Sequence, residues 1–325
     1  MKTNDLTRSF RHFVKFTQNE DFLKNCEDIP PQNSDFWDMD KRLEQDIDTG
    51  PLQMKSIRWM LHTAYGLSQP ASGRLCYRVL ARPPRKKRSV AEQRFLATAE
   101  QSIMRVDRMQ IKVYHWPGKG PVIILGHGWN SHSGRWQYLV PQLQQLGYNI
   151  YAFDAPAHGD SVGGHFAVVY YAWAMKTLAT AVEPETIIGH SAGGMAAMYY
   201  LHHDEKAARP ERMSLIATPA ELTHFIDSFQ RILRLKDGVM TALEKEFLRR
   251  FDRGFDYFST AEFSSELDIP GLIIHDEGDA VAPVHGAHTL AENWTDSELI
   301  ITSGLGHSVQ SDEVRKQLLD WLETK

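Results

Sequence analysis

Thr186-Ile187-Ile188-Gly189-His190-Ser191-Ala192-Gly193-Gly194 is the stretch on which the fold turns. Its first three residues are β-branched and largely apolar, as in a strand buried on both faces. Its end passes into Met195-Ala196-Ala197-Met198, whose side chains favour helix. Between them lies Gly-x-Ser-x-Gly, the pattern of a sharp strand-to-helix turn. On such a turn the serine backbone is strained and its hydroxyl projects above the sheet. Side chains two residues away on either side would collide with the turn, so Gly189 and Gly193 are the residue types required there. The amino end of the following helix favours developing negative charge. Ser191 is therefore the candidate nucleophile. The bland alternative is a glycine-rich turn with a passive serine, and the buried strand before it argues against that.

Outward from this turn, strands and helices alternate. Residues 102–108 and 110–116 read as a tight antiparallel hairpin. Short apolar runs follow at 122–125, 149–153, 186–188, 213–217, 272–274 and 299–301. Helical patterns fall between them, at about 134–146, 166–182, 192–204, 285–293 and 308–323. Alternation of this kind predicts a mostly parallel eight-stranded α/β sheet with helices on both faces. In such sheets ligands bind outside the carboxyl ends of the strands. Those ends carry Gly126-His127-Gly128-Trp129-Asn130, then Asp154 to Ser161, then the Ser191 turn, then His275 to Pro283, then Gly304-Leu305-Gly306-His307.

A serine hydroxyl needs a base at neutral pH. His307 follows the last strand, between small residues that leave room for an imidazole. The base in turn needs an acid to fix its tautomer. Asp279 is the first choice and Asp276, at the strand end itself, the rival. Either could instead be a turn-forming aspartate. The oxyanion calls for two backbone N–H donors: Ala192, after the nucleophile, and Trp129, in the loop after 122–125.

With these residues in place, the chain resembles the α/β-hydrolase superfamily, and within it the bacterial esterase/lipase-like serine hydrolases. The segments that carry the resemblance are HGW at 127–129, D-x-P-x-H-G-x-S at 154–161, G-H-S-x-G-G at 189–194, D-x-V-x-P at 279–283, and G-x-G-H at 304–307. It spans roughly 85–325. It implies a Ser191–Asp279–His307 triad with Trp129 and Ala192 at the oxyanion hole, and a cap over the site at 221–265. It implies ester cleavage through an acyl-enzyme on Ser191, with no cofactor. The same triad also serves thioesterases, peptidases, acyltransferases and lyases, and a non-catalytic binding protein could share the fold. One departure is Ala157, where many relatives have glycine.

The remainder says less. Of 325 residues, 42% are hydrophobic and 24% charged, enough apolar material for a sizeable core. A net charge of -5 gives no general attraction to nucleic acid or anionic membrane. Two cysteines, Cys26 and Cys76, do not make a disulfide framework. No apolar run approaches the roughly 20 residues of a bilayer span, and the first residues do not read as a signal peptide. A cytoplasmic protein acting on a small-molecule ester is expected, with no nucleic-acid partner and no stable membrane insertion; a homo-oligomer is left open. Residues 1–101 form an N-terminal helical extension and 102–325 the main domain. Within the extension, residues 1–50 read as a loosely packed arm, and 54–81 and 89–101 as helices. The run Pro83-Pro84-Arg85-Lys86-Lys87-Arg88 reads as a solvated linker. His202-His203-Asp204 could suggest a metal, but adjacent side chains on a helix diverge. The apolar residues of 221–265, from Phe225 to Phe255, read mainly as the cap's own core. No long cap is visible, so an open entrance is expected.

Overall fold

Two helices, α1 (Leu52–Leu67) and α2 (Gln69–Leu80), precede a short third, α3 (Val90–Leu96), and the hairpin β1 (Glu100–Val106) and β2 (Met109–Trp116). Alternation then begins: β3 (Val122–Gly126), α4 (Val140–Gln145), β4 (Asn149–Phe153), α5 (Val168–Val182), β5 (Thr186–His190), α6 (Ala192–His203) and β6 (Arg212–Ile216). Three helices interrupt it, α7 (Leu222–Leu233), α8 (Asp237–Phe251) and α9 (Thr260–Ser264). The chain closes with β7 (Gly271–Asp276), α10 (His285–Asn293), β8 (Ser297–Thr302) and α11 (Asp312–Glu323). The computed structural model describes residues 52–83, 86–204 and 208–324. The arm over 1–50 with Cys26, and Pro84 and Arg85 of the basic run, lie outside the described residues.

The eight strands form one sheet in the order β1-β2-β4-β3-β5-β6-β7-β8. β1 pairs antiparallel with β2, and β2 with β4; all other pairs are parallel. The continuous apolar runs are explained by period-2 alternation between two cores. Ile124, Ile187, Leu215 and Ile273 point to the face covered by α5, α6 and α10. Ile123, Leu125, Ile188, Ile216, Leu272 and Ile274 point to the face covered by α3, α4 and α11, against Leu143, Leu318 and Trp321. Each fully buried aliphatic side chain contributes about 1.5–3 kcal/mol relative to exposure. The central β5 is buried along its whole length, which fixes where the Ser191 turn emerges.

A third core lies over the other two. Leu61, Cys76 and Tyr77 of α1 and α2 pack with Ile226, Phe229, Leu243 and Phe247 of α7 and α8. The apolar stripe of the 221–265 segment is thus spent largely on the N-terminal helices. No helix among the described residues is long and apolar enough to cross a membrane.

Local departures from the expected pattern have local causes. The helix expected over 54–81 breaks at Ser68, whose extended backbone and hydroxyl cap α2 through the Ala71 N–H. Pro70, in the first turn of α2, could not have continued α1. The helix expected over 89–101 stops at Leu96, although the Ser89–Glu92 capping box starts it well. Glu100 and Gln101 are taken into β1 by pairing with His115 and Tyr114. The helix expected at 134–146 opens as a 3-10 turn over Ser133–Tyr138, and the one expected at 308–323 begins only at Asp312.

Candidate active site

Ser191 sits at the tip of the turn between β5 and α6 with φ +51° and ψ −119°, a conformation disfavoured for residues with a Cβ. The turn is possible because backbone crowds it where glycines stand. A Cβ at Gly193 would lie 2.4 Å from the Gly126 carbonyl oxygen, and one at Gly189 2.5 Å from Gly194. The loop after β3 presses on the same turn: a Cβ at Gly128 would stand 3.1 Å from the Ser191 Cβ.

Beside this turn the structure brings together residues far apart in sequence. His307 Nε2 lies 2.9 Å from Ser191 Oγ and accepts from its hydroxyl. His307 Nδ1–H donates to Asp279 Oδ2 at 2.8 Å. The other Asp279 oxygen accepts the N–H groups of Val281 and Ala282 at 2.8 and 2.9 Å. Burial alone would raise the Asp279 carboxyl, but hydrogen bonds from His275 and His307 outweigh it and hold the group well below the usual carboxylate range. It is therefore an anion at neutral pH.

Asp276, the rival acid, faces elsewhere. Its Oδ2 accepts from Thr302 Oγ1 and from the Leu305 N–H, both at 2.9 Å, and its Oδ1 accepts the Gly278 N–H at 3.0 Å. It ties the end of β7 to the loop that carries His307. Two further residues, both missed by sequence reasoning, brace the loops that carry His307 and Asp279. His190 Nε2–H donates to the His307 carbonyl at 2.9 Å. His275 Nε2–H donates to Ala282 O at 2.7 Å, with Asp279 Oδ2 3.4 Å away. The available signal was that each adjoins a residue already chosen, which does not reveal the direction of a ring.

Ala192 opens α6, where the first N–H groups of a helix have no intrahelical partner. On the facing loop, the Asn130 N–H is taken by His158 Nε2 at 3.1 Å, which holds the backbone next to Trp129. The Trp129 indole meets Phe225 of α7 edge-on, with ring centroids 5.5 Å apart. Helix α7 therefore contacts the loop after β3 directly. Ile226 and Phe229 of the same helix are buried in the third core. Ser191 itself is 7% exposed.

The Asp154–Ser161 segment is the frame beneath that loop. Asp154 is fully buried and accepts from the Ser133 N–H and hydroxyl at 2.8 Å, the Asp160 N–H at 2.9 Å and Arg88 Nη2 at 2.8 Å. Burial opposes its ionisation, yet His127, Arg88 and the Ser133 and Asp160 N–H groups hold its carboxyl below the usual range. Arg88 also meets Asp160 at 2.6 Å and the Tyr114 hydroxyl at 3.1 Å. The reading of the basic run as a solvated linker is thus corrected at its last residue: Arg88 is a structural counter-ion, because Asp154 needs a cation. Ala157 takes φ +64°, which explains why glycine would be favoured there.

His127, His158 and His190 are buried within this frame as neutral rings. Burial lowers His127 to about 3 and His158 to about 4, and it lowers His190 well below 6.5. Their unfolded counterparts titrate near 6.5. Between the folded and unfolded values the unfolded chain binds more protons, so stability falls as pH drops below 6.5 toward 4. Each such histidine contributes a slope of up to about 1.4 kcal/mol per pH unit there. Urea denaturation at pH 7 and pH 5 is expected to show a clear loss at pH 5, and His158→Gln a smaller loss than wild type.

Outside this centre, His202 meets Glu266 and His203 meets the Tyr257 hydroxyl, each at 2.7 Å. The two rings meet edge-to-face with centroids 4.7 Å apart, each engaged by its own partner, and among the described residues no cluster suited to a metal ion is present.

Comparison with known proteins agrees with this architecture. Residues 119–250 match the family model described as serine aminopeptidase, S33. A non-heme haloperoxidase of Rhodococcus erythropolis is 27% identical over 270 residues, covering 67% of this chain and 97% of that protein. A pimeloyl-[acyl-carrier protein] methyl ester esterase of Vibrio campbellii is 29% identical over 147 residues, 44% of this chain and 54% of that one. The crystal structure of a putative lipase from Acinetobacter baumannii superposes with a TM-score of 0.56 at 17% identity, over 73% of this chain and 97% of the other. The chain has the α/β-hydrolase fold and is similar in sequence to hydrolases of that superfamily. Its eight-stranded sheet is that fold's, and the matched segment contains the loop after β3, the Ser191 turn, α7 and nearly all of α8.

Proposed function

We propose that this α/β-hydrolase is a serine hydrolase that cleaves a carboxylic ester through an acyl-enzyme on Ser191. The observation that carries the reading is the unbroken chain of hydrogen bonds from Ser191 Oγ through His307 to Asp279, at 2.9 and 2.8 Å. In the first step His307 Nε2 takes the hydroxyl proton as Ser191 attacks the ester carbonyl. The N–H groups of Ala192 and Trp129 receive the oxyanion. The protonated imidazole, stabilised by Asp279, then gives its proton to the departing alcohol. Water, activated by the same ring, releases the acid. None of these steps calls for a cofactor. The low exposure of Ser191 and the Trp129–Phe225 contact favour a small acyl group.

Fluorophosphonate labelling tests the class: the folded protein is expected to be modified at Ser191, and an unmodified Ser191 would sink the reading. A series of p-nitrophenyl esters and acyl-CoA thioesters then separates ester from thioester cleavage, with the shortest esters expected to turn over fastest. A preference for the thioesters would assign a thioesterase on the same three residues.

The two aspartates make different predictions. Asp279→Asn is expected to lower kcat by about 10²–10⁴, since it disturbs the imidazole's tautomer and removes its counter-charge. Asp276→Asn loosens the loop beyond β8 and is expected to cost about tenfold. Steady-state kinetics on one activated ester compares them, and a larger loss from Asp276→Asn would overturn the choice of Asp279 as acid.

A further inference from the structure

His190 is the last residue of β5, one position ahead of Ser191, and pairs across the sheet with Ile216. Its ring is buried and tilted beside the His307 ring, with centroids 5.2 Å apart. The ring has two edges, and each faces a different segment. Nε2 lies 2.9 Å from the His307 carbonyl. A carbonyl can only accept, so the hydrogen is on Nε2. Burial, with the Arg135 and His307 charges nearby, keeps the ring neutral at pH 7, which leaves Nδ1 without one. That second edge lies against the loop after β3: a Cβ at Gly128 would stand 2.7 Å from Nδ1 and 3.1 Å from Cε1. The imidazole of His190 thus fills the space between Gly128, next to Trp129, and the backbone of His307.

The loop that carries His307 needs holding. Gly304 and Gly306 take φ +77° and +56°, and glycine gives the unrestrained chain wide freedom there. Upstream, Asp276 accepts the Leu305 N–H at 2.9 Å; downstream, Arg135 Nη2 donates to the Ser308 carbonyl at 3.2 Å. Between these two anchors, His190 holds the carbonyl of His307 itself. The His307 side chain must meet Ser191 Oγ and Asp279 Oδ2 at once, at 2.9 and 2.8 Å. A misplacement of about 1 Å in such an arrangement can cost about 10²-fold in rate. A tether on the backbone of the base residue restricts that misplacement most directly.

We propose that His190 is a positioning residue: braced against Gly128 and donating to the His307 carbonyl, its ring fixes where the His307 imidazole stands relative to Ser191. Its effect on turnover rests on the acyl-enzyme reading, whereas its effect on the place of His307 does not. The ring makes no step of the reaction itself.

Three substitutions separate the donor from the bulk. His190→Phe keeps a ring and loses the N–H. His190→Gln restores an amide N–H near the place of Nε2, and His190→Asn ends short of it. On an activated ester, His190→Phe and His190→Asn are expected to lower kcat by about 10–100-fold with KM within about twofold, and His190→Gln to recover to within about fivefold of wild type. A residue that only fills space would make His190→Phe the mildest of the three. The second readout is the ¹H resonance of the His307 Nδ1–H, held far downfield by its bond to Asp279. It is expected to broaden or move upfield in His190→Phe and His190→Asn and to stay in place in His190→Gln. This signal needs no turnover. A wild-type protein that cleaves no ester and takes no fluorophosphonate defeats the acyl-enzyme reading, and the resonance alone then decides the role of His190. Wild-type kcat in His190→Phe, or an unmoved resonance in that variant, overturns the proposal. So does a rise in KM at constant kcat in all three, which would make His190 a substrate contact. Thermal unfolding checks each fold, and if His190→Phe fails to fold, His190→Asn against His190→Gln carries the comparison.

Discussion

Ser191→Ala is expected to lower kcat on an activated ester by about 10⁴–10⁶ while leaving the fold intact. The magnitude follows from what is lost. The hydroxyl 2.9 Å from His307 Nε2 is the atom that would form the covalent intermediate, and no neighbouring group can replace it. His307→Ala is expected to cost a similar amount, because the serine then lacks its base. The double variant should be scarcely worse than either single one, since residues that act as a unit are strongly non-additive. Ser191 is already 7% exposed and makes no fold-determining contact through its hydroxyl, so thermal unfolding should shift little. Turnover that survives in Ser191→Ala within about tenfold of wild type would refute the acyl-enzyme reading. Activity should also fall on acidification, because a protonated imidazole cannot accept the serine proton. Asp279 cannot account for that limb, since its carboxyl is held well below the usual range.

Arg88→Met is expected to destabilise the protein by about 3 kcal/mol, near the lower end of the range for breaking a buried ion pair. Asp154 is 0% exposed and keeps its other donors from Ser133 and Asp160, which is why the lower end applies. The variant leaves a fully buried carboxylate without its cation. The same frame holds His158 against the Asn130 N–H, so the loop bearing Trp129 should loosen before the sheet does. Equilibrium urea unfolding measures the stability, and the pH at which it is measured matters. The Asp154 carboxyl is depressed in the folded state, so its contribution is present above the unfolded carboxylate range and is lost as pH falls through the folded value. A ΔΔG under about 0.5 kcal/mol at neutral pH would place Arg88 among ordinary surface residues and restore the reading of a solvated linker.

Much of this architecture was legible from residue order. Apolar runs too short for helices, each followed by a polar cluster, located the strands and the face of the sheet where chemistry could gather. The Ser191 turn was legible because its glycines answer to backbone crowding within a few residues, which is a local matter. The cap was legible as a helical insertion but not as to its partner. Its stripe through Ile226, Phe229, Leu243 and Phe247 reads the same whether it meets a substrate or another helix. Only the packing of α1 and α2 shows that it meets Leu61, Cys76 and Tyr77. The ends of the N-terminal helices were misplaced for a related reason: Glu100 has helical company in sequence, but its partner is His115, fifteen residues away in the hairpin.

The aspartates near the end of β7 mark the boundary most clearly. Asp276 and Asp279 are three residues apart, both follow a strand, and both are reasonable acids by position. Side-chain direction after a strand depends on how the loop bends, and the bend is settled by contacts from remote parts of the chain. Here Thr302 and Leu305 claim Asp276, while His307, with Val281 and Ala282, claims Asp279. Order along the chain was enough for the sheet, the Ser191 turn and the set of candidate residues, because those rest on hydrophobic period and short-range sterics. Which carboxylate faces the imidazole, which arginine neutralises Asp154 and how far the cap closes over Ser191 belong to the tertiary structure alone, because each is a competition among partners brought together only when the sheet has formed.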